Sequence, residues 1–119
     1  MTATQWILLL IGISMSAVGG LLLKIGAVQI HHESGVPHVL WQLLFNWRII
    51  AGVLMYFIPV LIWIFLLKRI ELSFLQPLFS MVYVVTPILA ALVLNENVTL
   101  QRWIGIGTII IGVIVVARS

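Results

Sequence analysis

The sequence predicts an all-α membrane protein with four transmembrane helices, and three observations carry that prediction. Of its 119 residues, 63% are hydrophobic and only 8% are charged, whereas a soluble domain usually has about a quarter of its residues charged. Mean hydropathy is +1.27. The apolar residues also gather into runs close to the ~20 residues that cross ~30 Å of hydrocarbon, with short polar stretches between them.

The first span is expected at about residues 5–29. "MTATQWILLL" has no Lys or Arg ahead of its apolar run, which argues against a cleaved signal peptide and for a segment that stays in the membrane. This span must accommodate Lys24 near its end. The longest polar stretch follows, "HHESGVPH" (His31–His38). It leads into "VLWQLLFNWR", where Trp41, Leu44, Phe45 and Trp47 recur near helical spacing beside Gln42, Asn46 and Arg48. That pattern reads as an interfacial amphipathic approach to the second span, because Trp and Arg favour the headgroup region. The second span, about 48–68, lies between Arg48 and Lys68, and the third, about 71–94, between Glu71 and the polar Asn95–Asn97. The fourth, about 101–117, is short, but Arg102 and Arg118 can snorkel to the two interfaces. "KRIE" and "NENVTLQR" read as tight turns, so the four helices are expected to form a single domain.

Composition excludes several functions. The formal charge of +3, from six Lys/Arg against three acidic residues, contains no basic cluster of the kind that binds nucleic acid. It concerns orientation and lipid headgroups instead. No cysteine is present, so disulfides, thiolate metal sites and cysteine nucleophiles are ruled out. His31, His32 and His38 have only Glu33 beside them and read as solvated loop histidines, so no metal or cofactor is expected. "NVT" at Asn97–Thr99 matches a glycosylation sequon but abuts the membrane. No nucleophile–base constellation or phosphate-cradling glycine loop appears, which argues against an enzyme. With the N-terminus inside, Lys68, Arg69 and Arg118 fall on one side and Lys24, Arg48 and Arg102 on the other. That tie permits insertion both ways up, and hence an antiparallel dimer, or an orientation set by a partner.

Three features are candidates for chemistry. In the first span Gly12, Ser16, Gly20 and Lys24 recur every fourth residue and share a helix face. Such a strip packs helices closely or lines a groove with Lys24 at one end. An ionisable group near a span is costly, and an ammonium facing a cavity suits phosphate or carboxylate; the alternative is a lysine lifted to the interface. The third span holds Gln76, Ser80 and Tyr83 on one face, with Pro77 and Pro87 ten residues apart. Each proline removes a backbone hydrogen bond, which is tolerated where freed carbonyls line a cavity. The strip therefore reads as a bendable polar wall with two hinges, or as polar glue between helices. In the last span Gly105 and Gly112 lie seven apart with Thr108 between them, a helix-packing seam within or between subunits.

The stretch "KRIELSFLQPLFSMVYVVTPILAALVLNENVTLQRWIGIGTIIIGVIVV", with Glu96 after the third span, resembles the C-terminal repeat of the EamA-like drug/metabolite transporter superfamily. "GGLLLKIGA" resembles that superfamily's first-helix end. The resemblance implies a small-multidrug-resistance-like bundle in the inner (plasma) membrane. In the small multidrug resistance transporters an embedded glutamate lies eight residues before the lysine; here that position is Ser16. Gln76 and Phe79 likewise stand where those transporters have Tyr and Trp. The chain thus departs from proton-coupled cation export. It is more similar to the small flippase subunits for aminoarabinose linked to undecaprenyl phosphate, which keep the four-helix plan without the glutamate.

That resemblance implies a subunit flipping an anionic polyprenyl-phosphate-linked sugar by alternating access, as a homodimer or as a heterodimer with a similar small subunit. Lys24 would attract the phosphate with Arg48 as a second cation, while Ser16, Gly20, Gln76, Ser80 and Tyr83 would meet the headgroup. Two other readings remain open from the sequence. One is export of small metabolites or quaternary amines. The other is a non-transporting accessory subunit that docks a larger membrane enzyme through the Trp-rich 38–48 stretch.

Overall fold

The computed structural model describes residues 2–30 and 35–119. Six helices account for most of the described residues: α1 (Ala3–Ala27), α2 (Val36–Phe45), α3 (Trp47–Leu67), α4 (Leu72–Phe79), α5 (Val82–Val93) and α6 (Leu100–Ala117). Among the described residues, four segments are long and apolar enough to cross a membrane: α1, α3, α4 and α5 taken together, and α6. The described residues form an all-helical, multi-pass membrane protein. Its extents are 52 × 36 × 20 Å, and the shortest is about two helix diameters.

Local sequence sets the helix ends. Thr2 and Gln5 form a capping box at the start of α1, with the Gln5 N–H bonded to Thr2 Oγ1 and the Thr2 N–H to Gln5 Oε1. This satisfies two donors that the first turn would leave unpaired. Asn46 separates α2 from α3 and caps the latter, its Oδ1 accepting from the Arg48 N–H at 3.0 Å. Thr99 does the same for α6, accepting from the Arg102 N–H at 3.2 Å. At the end of α5, Asn95 takes a left-handed φ of 55°, which asparagine tolerates better than most residues. The Glu96 N–H then turns back to the Ala90 carbonyl. The Glu96 side chain remains exposed.

The helices pack in the order α3, α1, α4/α5, α6. α1 and α3 are the closest pair, because glycines face each other across them. A Cβ at Gly52 would stand 2.8 Å from Leu23 Cγ and 3.0 Å from the Gly19 carbonyl oxygen, and a Cβ at Gly26 would stand 2.6 Å from Ile49 Cγ1. Without those side chains the backbones approach and gain dispersion contacts, the main drive for helix association in lipid. The apolar core lies toward the α1 N-terminal end, where Leu9, Ile13, Leu66, Leu75 and Leu78 bury one another. Farther along, α3 and α5 diverge and a cleft opens.

The third span departs from the single bent helix that its two prolines suggest. Both prolines lie inside helices, and the break falls between them at Ser80–Met81. The N–H groups of Ser80, Met81, Tyr83 and Val84 bond back three residues instead of four, the tighter 3₁₀ pattern. Ser80 Oγ also donates to the Pro77 carbonyl, the acceptor that the Met81 N–H would use in a regular α-helix, so its hydroxyl competes with the helical ladder at the break.

A separate helix, α2, forms in the stretch expected to approach the second span. Its ten residues are too few to span, and none is buried. Trp41 and Phe45 stack with centroids 4.2 Å apart. Asn46 Nδ2 donates to Gln29 Oε1 at 3.3 Å, tying the start of α3 to the end of α1. His31, His32 and Glu33 lie outside the described residues.

Candidate functional site

A cleft of about 770 Å³ opens between α1, α3 and the broken α4/α5 pair, within the range usual for sites that bury a small ligand. Each wall has a sequence origin. α1 contributes Ser16, whose neighbours at every fourth position are glycines. α3 contributes Tyr56, Pro59, Val60 and Trp63, spaced three, one and three residues apart and therefore on one face. α4 and α5 contribute Gln76, Pro77, Phe79, Ser80, Val82, Tyr83, Thr86 and Pro87 across the break. Pro77 and Pro87 lack the N–H groups that would serve the Ser73 and Tyr83 carbonyls.

The chemistry of the wall is neutral and amphipathic. Hydroxyls of Ser16, Tyr56, Tyr83 and Thr86 and the amide of Gln76 supply both donors and acceptors. The Ser80 hydrogen is committed to the Pro77 carbonyl, which leaves its oxygen as an acceptor. Four aromatic rings frame the space, and Trp63 is held edge-on against Phe79, with centroids 5.1 Å apart at 79°. Ser16 is nearly buried at 3% exposure, whereas Tyr83 is 64% exposed, so the cleft is closed at its α1 floor and open on the α5 side. Among the described residues, no Lys, Arg, His, Asp or Glu lines it.

Of the residues singled out in the sequence, Ser16, Gln76, Pro77, Ser80, Tyr83 and Pro87 converge on this cleft. Gly20 lies at its edge, where a Cβ would stand 3.1 Å from the Tyr56 hydroxyl. Lys24 is not in the wall. It is exposed in the last turn of α1, a position that also complements the helix dipole. At four residues per step it sits ~6 Å beyond Gly20 along the helix, outside the Tyr56 end of the cleft. Arg48 is placed elsewhere as well, with its guanidinium over the Trp47 ring at 5.2 Å. Gly105 and Gly112 face open space, since a Cβ on either would meet nothing within 4 Å. Tyr56, Pro59 and Trp63 escaped the sequence reading because aromatic residues in an apolar run look lipid-facing. Their common face was the available signal.

Four helices long and apolar enough to cross a membrane, three of them around a lateral cleft with hydrogen-bonding groups, define a small helical bundle of the transporter class. The chain belongs to the EamA-like transporter family, whose model matches residues 2–118. It is 34% identical, over 88% of its length and 90% of the relative's, to the probable 4-amino-4-deoxy-L-arabinose-phosphoundecaprenol flippase subunit ArnE of Aeromonas salmonicida. It is 33% identical to the corresponding protein of Aeromonas hydrophila, with 89% and 91% covered. To that of Yersinia pseudotuberculosis it is 29% identical, with 92% and 94% covered. No solved structure matches the chain significantly.

Proposed function

We propose that this protein is one subunit of a flippase that moves an anionic lipid-linked sugar of the polyprenyl-phosphate type across the inner membrane. The observation that carries the reading is the neutral amphipathic cleft, open on one side between membrane-spanning helices, in a chain so similar to proteins named as flippase subunits. A headgroup can slide within such a cleft while its hydrocarbon tail stays in the bilayer. Ser16 supports this choice over proton-coupled cation export, because a hydroxyl in the cleft floor offers no carboxylate to exchange a proton for a cation.

The residues divide the task. Lys24, beyond the Tyr56 end of the cleft, attracts the phosphate, and Arg48 is a second cation on the same side of the membrane. Gln76, Tyr83 and Thr86 bond sugar oxygens. The α4/α5 break between Pro77 and Pro87 is the hinge by which the cleft changes the side it faces. The open glycine face of α6 packs against a second copy or a similar small subunit.

Native mass spectrometry of protein released gently from membranes, with bound lipids fragmented, tests this. A retained polyprenyl-phosphate sugar that is lost on Lys24→Ala is the expected result. Finding only bulk phospholipid in both proteins would overturn it.

A further inference from the structure

Resting on the flippase reading, the geometry points to a division of the headgroup in the state seen here: the cleft takes the glycosyl ring, held against Tyr56 and Trp63, and the phosphate stays outside it on the Lys24 side. The first argument is charge. A phosphate brought into a wall made of hydroxyls, an amide and aromatic rings would lose hydration with no cation to replace it, at a cost of several kcal/mol. The residues that could pair with it stand outside: Lys24 is exposed one turn past Gly20, and among the described residues it makes no ion pair.

The second argument is shape and polarity. A sugar ring presents an apolar C–H face and a rim of hydroxyls. The C–H groups beside oxygen carry partial positive charge, which suits the negative face of an aromatic ring. Trp63 is held in one orientation by its edge-on contact with Phe79. The Tyr56 hydroxyl stands at the Gly20 notch, between the cleft and Lys24. Both side chains come from one face of α3 and look across at Gln76 and Thr86, which can satisfy the hydroxyl rim. An ammonium on the ring is accommodated too, since aromatic faces attract cations. A sugar near Tyr56 leaves its phosphate on the Lys24 side, within reach of that long stem.

The test is a native mass spectrometry titration of the full chain in lipid nanodiscs with two probes, a farnesyl phosphate carrying one pentose and bare farnesyl phosphate. The glycosylated probe is expected to bind more tightly, and Trp63→Leu to reduce that preference by about three- to tenfold. Tyr56→Phe, which keeps the ring and its packing, should reduce it less. Lys24→Gln should weaken both probes by the same factor. Equal binding of the two probes, with Trp63→Leu and Tyr56→Phe weakening both alike, would place the phosphate in the cleft and overturn this assignment while leaving a flippase. If neither probe binds, the flippase reading itself falls.

Discussion

Glycine serves opposite ends in two parts of this molecule. Between α1 and α3, Gly19, Gly26 and Gly52 let two backbones meet, and every one of them would bring a Cβ within 3.1 Å of the neighbouring helix. On α6, Gly105, Gly107 and Gly112 have nothing within 4 Å of where a Cβ would stand. The burial of the two helices follows: 33% of the spanning window of α1 is buried, against 11% for α6. The first set is consumed in folding the chain. The second is left over, and in lipid a row of small residues without a neighbour is a surface on which another helix can pack.

The sharpest way to break this contrast is Gly52→Ala. The added methyl would collide with Leu23 Cγ and with the backbone oxygen of Gly19, and a backbone cannot swing aside as a side-chain tip can. We expect a loss of about 1–3 kcal/mol, read as an earlier unfolding midpoint in an SDS titration. A variant as stable as the parent would mean that α1 and α3 are not zipped in this way. Gly20→Ala should act differently although it adjoins Gly19. Its methyl would stand 3.1 Å from the Tyr56 hydroxyl, the far end of a side chain with room to move. The fold should shift by under about 0.5 kcal/mol, while displacement of Tyr56 changes the cleft wall and lowers affinity for a lipid-linked sugar. An unfolding shift as large as that of Gly52→Ala would put Gly20 in the helix contact instead.

This pair of neighbours also shows where the sequence stops being informative. The four spans are legible because length and apolarity are local properties of a run, and the polar wall of the third span because Gln76, Ser80 and Tyr83 keep helical spacing. Fourfold spacing in α1 singles out Gly12, Ser16, Gly20 and Lys24, yet the tightest packing uses Gly19 and Gly26. The choice between two adjacent glycines depends on where Gly52 of α3 arrives, which is a tertiary fact. Nor does spacing say where a strip ends: Ser16 reaches the cleft floor and Lys24, two turns on, is outside. The α4/α5 break is partly local, since it follows from Ser80 bonding back to the Pro77 carbonyl. The proline positions alone place it too early or too late. Tyr56 and Trp63 share a face in the sequence, but that the face meets a cleft shows only when α3 is set against α1, because an aromatic residue facing lipid and one facing a cleft are identical in sequence.

The smallest effect on the chain itself belongs to the double variant Gly105→Ala, Gly112→Ala. Each methyl projects into open space, and alanine is a better helix former than glycine by up to about 1 kcal/mol in water. The isolated subunit should therefore keep or slightly raise its SDS midpoint. Pairing should respond in the opposite sense if this face meets a second subunit, because a methyl at a glycine seam holds the two backbones apart and removes the contacts that close approach creates. Förster transfer between labelled chains in liposomes measures that directly. Reduced transfer with unchanged subunit stability would assign the α6 glycines to assembly, as those of α1 and α3 are assigned to the fold. Unchanged transfer would remove α6 from the interface and leave its open face to lipid.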